Sequence, residues 1–252
     1  MFETLDIVRD GAISHLWLNR PEKLNPLSTQ VLEELACAAA QLNSERDVRV
    51  VIVGGRGRAF SAGADLSSFG GDSAMAREAA DAGRLMADAI EGLRAVSIAR
   101  LHGWCVGGGL VLAAACDLRI AASDARFSIP EVDLGIPLAW GGIPRLVREI
   151  GPALTKELVM TCRAFDAQEA LRAGFLNKVV ESAALDDAVG ELATEVARRP
   201  RFPIEATKRH VDAITAAAIG LDRSWADADG LLTGLADPEC AQAREDYLAR
   251  RR

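Results

Sequence analysis

Short strand-like runs alternate with alanine-rich stretches over the first 130 residues, and this alternation restricts the fold more than any other feature. The run at 48–53 is almost entirely β-branched, which is typical of a strand buried on both faces. A second strand candidate lies at 96–101, and residues 75–93 between them carry apolar residues at helical spacing. Strands that alternate with helices predict an α/β fold with mostly parallel pairing.

The N-terminal segment predicts a β-hairpin followed by a helix. Two β-rich runs at 4–8 and 13–18 are separated by Arg9-Asp10-Gly11, which is a turn signal. Ser28 fits the N-cap of the next helix, in which apolar residues recur every three to four positions.

Helical patterns dominate after residue 141. Asp166 and Gly174 fit the N-cap and C-cap of one of these helices. The segment 198–203, which contains two prolines, reads as a linker, so we expect a core at 1–199 and a helical region at 200–252. The predicted helices are 142–150, 152–160, 167–173, 185–199, 203–219 and 239–251.

Charge and cysteine content exclude several classes of protein. The 29 basic and 36 acidic residues give a net charge of −7, which argues against nucleic acid as a partner. The uncharged stretch 101–116 is shorter than the ~20 residues of a membrane span, and the first ten residues lack the apolar region of a secretory signal. Five scattered cysteines without a C-x-x-C pair favour reduced thiols, so we expect a cytoplasmic protein.

Two glycine-containing loops are the candidates for chemistry. Residues 54–58 lack the Gly-Lys-Ser/Thr of a phosphate-binding loop, and 103–109 lack the dinucleotide pattern G-x-G-x-x-G. No G-x-S-x-G nucleophile motif is present. Glycines before a helix leave backbone N–H groups free to hold an anion such as an enolate oxygen. Residues 59–66 could supply a second amide, although tight helix packing explains Gly107–Gly109 equally well.

Glu131 is the candidate acid or base. It lies among apolar residues at 128–135, where loss of water would raise its pKa towards the range that a general base needs. Taken alone, a glutamate beside a turn is more often a solvated side chain.

Five segments, in this order and at this spacing, resemble the crotonase family, which is also called the enoyl-CoA hydratase/isomerase superfamily. The likeness covers about the first 180 residues and extends more loosely into the helical tail. The segments are 19–27 (NRPEKLNPL), 57–66 (GRAFSAGADL), 102–109 (HGWCVGGG), 129–135 (IPEVDLG) and 141–146 (GGIPRL).

The resemblance implies a crotonase-type spiral of ββα units with a C-terminal helical region that forms homotrimers or dimers of trimers. It implies an acyl-CoA thioester substrate and no metal or redox cofactor. The oxyanion-hole amides would be those of Ala64 and Gly108, and Glu131 would be the catalytic carboxylate. By the same likeness, the residues expected to contact substrate or CoA are Ala62, Asp65, Leu66 and Gly109.

The sequence departs from the hydratase pattern at Val111, where the resemblance would place a second glutamate. Valine can neither activate water nor deliver a proton, and losing one acid/base group typically costs 10²–10⁴ in rate. One carboxylate with an oxyanion hole favours Δ3-to-Δ2 enoyl-CoA isomerisation, with Glu131 moving the proton. A hydratase that works with one glutamate and a non-catalytic acyl-CoA-binding protein remain alternatives.

Other side chains are weaker candidates. Asp133 would join Glu131 only if their segment is extended. Trp104 and Trp140 could line an acyl pocket, although tryptophans of the core are more frequent. Lys208 and Arg209 could meet a CoA phosphate, although basic residues on a helix usually form a solvated face.

Overall fold

The fold alternates strands and helices, as the sequence predicts. The computed structural model describes residues 2–65, 73–220, 224 and 226–250, with the side chains of 73–76 left out. The strands within these residues are β1 (Leu5–Asp10), β2 (Ile13–Leu18), β3 (Val50–Gly55), β4 (Val96–Leu101), β5 (Trp104–Val106), β6 (Leu118–Ala122), β7 (Arg126–Ser128), β8 (Phe165–Asp166) and β9 (Lys178–Val180).

These strands form two sheets. The larger has the order β1-β2-β3-β4-β6-β9 and the smaller β5-β7-β8. Only the β1–β2 hairpin and the β7–β8 pair are antiparallel among the described ladders. Consecutive pairs along the chain, β4 with β5 and β6 with β7, therefore place one strand in each sheet. The predicted parallel α/β architecture is confirmed.

The helices cover both faces of the larger sheet. They are α1 (Thr29–Ser44), α2 (Ser73–Glu91), α3 (Gly108–Ala114), α4 (Gly142–Thr161), α5 (Ala167–Arg172), α6 (Leu185–Arg198), α7 (Arg201–Ala218), α8 (Asp227–Ala236) and α9 (Pro238–Ala249).

Strand β3 shows why a continuous apolar run was needed. Val51 and Val53 face the main core with α1, α2 and α3, whereas Val50 and Ile52 face a second cluster that includes α6. All six residues of β3 are buried, so both faces of the strand are covered.

Most predicted elements are confirmed, and several were missed. The side chain of Ser28 accepts a hydrogen bond from Val31 N and caps α1, and Asp166 caps α5 in the same way. The predicted helices 142–150 and 152–160 are the two halves of α4, which meet at the non-helical Gly151. β5, β8, β9 and α8 were not predicted because they are short or rich in glycine. The split at residue 199 stays a prediction.

None of the helices in the described ranges is long and apolar enough to span a membrane.

Candidate active site

The two glycine-containing loops are joined directly by backbone hydrogen bonds. The N–H of Phe60 donates to His102 O (2.9 Å) and that of Ser61 to Trp104 O (3.1 Å), and Val106 N donates back to Ser61 O (3.1 Å). The loop after β3 therefore pairs with β5 as a short ladder. This pairing fixes the positions of the amides that each loop contributes.

Asn25 anchors the loop after β3 through buried hydrogen bonds. Its side chain is 1% exposed, and Nδ2 donates to Arg56 O and Ala59 O, both at 2.9 Å. The hydroxyl of Ser61 donates to the carbonyl of Asn25 (2.8 Å) and accepts from Gly63 N (3.1 Å). The 19–27 motif thus has a structural function that sequence reasoning did not assign, since its partners lie more than 30 positions away.

The amide of Ala64 is not used in the backbone pairing of its own loop with Leu27. Leu27 forms a parallel bridge with Ala64, using Leu27 N to Gly63 O and Asp65 N to Leu27 O. These two bonds engage the residues that flank Ala64, and among the described residues its own N–H has no hydrogen-bond partner. Gly63 adopts a φ of 90°, and a Cβ there would lie 2.8 Å from Val106 O, so only glycine fits.

Gly107 and Gly108 form the start of α3. Gly107 has a φ of 49°, and its N–H donates to Ser128 O (2.9 Å). Gly108 is the first residue of α3, so its N–H lacks an acceptor within the helix. A Cβ on Gly107 would lie 2.3 Å from Glu131 Oε1, which places the carboxylate directly against this turn.

A cavity brings the three predicted catalytic residues together. Glu131 is the one ionisable side chain on its wall within the described residues. The wall is formed by Ala64, Gly108, Val111, Glu131, Ile136, Pro137, Leu138, Ala139, Trp140 and Leu231.

Glu131 is buried in this apolar setting. It is 8% exposed, and its Oε2 has no hydrogen-bond partner among the described residues. Burial raises the pKa of Glu131 to about 7, against a smaller lowering by its own backbone N–H. A carboxyl group with this pKa both accepts and releases a proton near neutral pH.

Val111 faces the same cavity and is fully buried. Its Cγ2 would lie 2.8 Å from a Cβ at Gly142, so the valine is packed tightly between α3 and the start of α4. The position at which a second carboxylate was considered is therefore occupied by an apolar side chain.

One wall of the cavity comes from the segment 136–140, which an internal salt bridge supports. Arg145 is 1% exposed, and it donates to Trp140 O (3.1 Å) while its guanidinium pairs with Asp88 (2.9 Å) and Glu91 (2.6 Å) of α2. These pairs offset the cost of burying the guanidinium, and they tie the backbone at Trp140 to α2.

Helix α8, which the sequence did not reveal, also supplies a residue of the wall. Asp227 accepts a hydrogen bond from Gly141 N (2.8 Å), and Leu231 one turn later is 2% exposed and lines the cavity. The glycine and aspartate content of α8 hides its helical periodicity.

Several other candidates lie away from the cavity wall. Ala62 N donates to Leu24 O (2.8 Å), Asp65 pairs with Arg20 (3.5 Å), and a Cβ at Gly109 would lie 2.7 Å from Ser61 Cβ. The loops place these residues beside the cavity but not on its described lining, and Leu66 lies outside the described residues. Their contact with substrate or CoA stays a prediction.

Of the weaker candidates, Trp140 lines the cavity with Glu131, and the structure gives Asp133, Trp104 and Lys208 other surroundings. The segment 131–135 is a turn rather than extended, so Asp133 is exposed. Trp104 is 44% exposed, whereas Trp140 lines the cavity. Lys208 Nζ pairs with Asp117 (2.7 Å), and Asp117 also accepts a hydrogen bond from Ser97 N (2.7 Å).

Comparisons with known proteins agree with this arrangement. A family model described as enoyl-CoA hydratase/isomerase matches residues 9–229. A crotonyl-CoA hydratase of Syntrophomonas wolfei is 36% identical over 209 residues, which cover 82% of this chain and 80% of that protein. A peroxisomal Delta(3,5)-Delta(2,4)-dienoyl-CoA isomerase of Arabidopsis thaliana is 36% identical over 224 residues, covering 82% and 81%.

The fold is also found among solved structures. An enoyl-CoA hydratase/isomerase from Xanthobacter autotrophicus Py2 superposes with a TM-score of 0.90 at 25% identity, over 100% of this chain and 94% of that one. The spiral architecture expected from the motifs is therefore confirmed.

Proposed function

Because this chain belongs to the enoyl-CoA hydratase/isomerase family of acyl-CoA metabolism, we propose that it catalyses the Δ3-to-Δ2 isomerisation of an enoyl-CoA thioester. The substrate's thioester oxygen lies between the N–H groups of Ala64 and Gly108. Glu131 is the single acid/base. No metal or redox cofactor enters the proposed reaction.

The first step is removal of a proton from C2 of the 3-enoyl-CoA by the Glu131 carboxylate. The electron pair of the broken C–H bond moves into the carbonyl, which gives a dienolate with its negative charge on the thioester oxygen. Two amide donors oriented towards that oxygen stabilise the charge, and each such donor is typically worth about 3 kcal/mol.

The second step returns the same proton to C4. The enolate collapses, the carbonyl re-forms, and the double bond now joins C2 and C3. One carboxyl group with a pKa of about 7 suits both steps, because it gains and loses a proton with little bias at neutral pH.

Isomerisation is supported over hydration because the cavity holds one carboxylate, Glu131, and an apolar side chain, Val111, at the position where a second carboxylate was considered. Hydration adds water across the double bond, so it requires a site for that water. Val111 is fully buried against Gly142 and lines the cavity with Leu138, so this part of the wall is apolar. Keeping water away also strengthens the amide hydrogen bonds to the enolate.

Hydration by Glu131 alone is the second candidate. It is favoured by the relatives named hydratases, among them the crotonyl-CoA hydratase that is 36% identical to this chain. In this reaction one carboxyl group would activate the water and also protonate C2.

Product analysis separates the two reactions. The purified protein is given 3-hexenoyl-CoA and 2-hexenoyl-CoA in parallel, and the products are resolved by chromatography. We expect 2-hexenoyl-CoA from the first substrate and little 3-hydroxyhexanoyl-CoA from the second. Hydration at about 10–1000 per second, the range of good enzymes, would refute the isomerase proposal. The variant Glu131→Gln is the control, and it should lose both activities.

We also propose that the chain assembles as a homotrimer or a dimer of trimers. The support is the apolar surface of α7, on which Phe202 is 75% exposed, Ile214 59% and Val211 55%. Val211 and Ile214 are three residues apart and lie on the same side of α7, and exposed apolar patches mark interaction sites. Light scattering at micromolar concentration tests it, and a monomeric mass would contradict it.

A further inference from the structure

Trp140 has a backbone conformation that a bulky residue rarely adopts. Its φ is 61°, in the left-handed region, and Gly141 after it has a φ of 66°. Such a conformation is costly for a side chain as large as tryptophan, and it persists only where the surrounding structure enforces it.

The surrounding structure does enforce it. The buried guanidinium of Arg145 donates to Trp140 O (3.1 Å) and to Gly141 O (3.3 Å), and Asp227 accepts from Gly141 N (2.8 Å). The arginine in turn pairs with the carboxylates of Asp88 and Glu91. The backbone on which the indole stands is therefore fixed from both α2 and α8.

The indole ring occupies a slot between two glycines. A Cβ at Gly83 would lie 2.1 Å from Trp140 Cε2, and a Cβ at Gly108 would lie 2.2 Å from Cζ3. Neither helix could carry a side chain at these positions without moving the ring. The ring is 6% exposed, and it forms part of the cavity wall beside the amide of Gly108.

The cavity that the ring narrows has the character of an acyl site rather than a CoA site. Apart from Glu131, its described lining carries no ionisable side chain, whereas the phosphates of CoA would require cations.

From this geometry, and on the basis of the function proposed above, we infer that Trp140 determines acyl-chain length and restricts the substrate to short-chain acyl-CoA. The ring takes up the space that a longer chain would need next to the oxyanion hole. Its slot and its fixed backbone prevent it from swinging aside.

Binding of unreactive saturated thioesters tests this inference without relying on turnover. The affinities of butanoyl-CoA and octanoyl-CoA are measured by calorimetry for the wild type, Trp140→Ala and Trp140→Gly. The glycine variant adopts the positive φ without strain, so it remains informative where the alanine variant fails to fold. Trp104→Ala removes an exposed tryptophan away from the cavity wall and is the matched control.

In the wild type we expect octanoyl-CoA to bind no more tightly than butanoyl-CoA. Removing the ring should raise the affinity for octanoyl-CoA relative to that for butanoyl-CoA by at least 10-fold, since each newly buried methylene raises the affinity about fourfold. Trp104→Ala should leave the ratio unchanged. The inference would be overturned if the wild type bound octanoyl-CoA more than 10-fold more tightly than butanoyl-CoA. It would also be overturned if the ratio of the two affinities in the folded Trp140 variants stayed within threefold of the wild-type ratio. Failure of the wild type to bind either thioester would instead refute the proposed function on which it rests.

Discussion

Replacing Glu131 by glutamine should change how the stability of the protein depends on pH, and the variant should gain stability relative to the wild type as the pH rises. Burial raises the pKa of Glu131 from its ordinary 4.5 to about 7 in the folded chain. At 1.36 kcal/mol for each unit of pKa, this rise of about 2.5 corresponds to roughly 3 kcal/mol. Ionising the buried carboxyl therefore costs the native state a sizeable part of a typical total stability of 5–15 kcal/mol.

The sign follows from proton binding. Between pH 4.5 and 7 the folded chain holds a proton at Glu131 that the unfolded chain has released, so the free energy of unfolding falls as the pH rises. Glutamine does not titrate, so the free energy of unfolding of the variant does not fall with pH for this reason. Relative to its value at pH 4, the stability difference between variant and wild type should thus rise by about 1 kcal/mol at pH 5 and by about 3 kcal/mol at pH 8.

Urea unfolding followed by circular dichroism between pH 5 and 8, at one protein concentration, measures this difference. The buried amide adds a cost that does not vary with pH, so the slope rather than the level is diagnostic. Asp133→Asn makes the same chemical change at an exposed carboxylate two residues away, and it serves as the matched control. A difference that stays flat within about 0.5 kcal/mol for Glu131→Gln would refute the reasoning.

Four further outcomes are expected. Isomerase activity should rise tenfold per pH unit up to about pH 7 and then level off, because the base must be ionised; a flat profile from pH 5 to 8 would exclude Glu131 as that base. Gly107→Ala should lower kcat at least about 100-fold with unchanged circular dichroism, since its methyl would lie 2.3 Å from Glu131 Oε1; activity near wild type would contradict this contact. Val111→Glu should raise hydration relative to isomerisation at a cost of about 1–3 kcal/mol in stability, and an unchanged ratio of the two rates would show that the valine does not exclude water. Gly83→Ala should lower the free energy of unfolding by about 1–3 kcal/mol in urea, because the added methyl overlaps the Trp140 ring; an unchanged midpoint would contradict the slot.

The parts of the fold that depend on neighbours in the chain were predictable. The sequence predicts the N-cap at Ser28 and the burial of β3 on both faces from residues only a few positions apart. This is possible because helix capping and strand burial depend on local or periodic patterns of residues. The motifs likewise indicated the family, the two loops and Glu131.

The remaining site residues were not predictable by the same means. Leu231 reaches the cavity from α8, about 100 positions after Glu131, and no periodic pattern in the sequence relates the two. Asn25 and Arg145 act through hydrogen bonds to distant backbone carbonyls, which leave no signal in composition or spacing.

The sequence by itself determined the order of strands and helices and the identity of the loops and carboxylate, because each depends on local chemistry or on a motif. Only the tertiary structure decided that Glu131 is buried against Gly107 without a partner for Oε2, and that Trp140 narrows the cavity beside Gly108. The physical reason is that a pKa and a cavity volume are set by whatever surrounds a group in space. For these two residues the surroundings come from α2, α3, α4 and α8, which are separated along the chain and meet only when it folds.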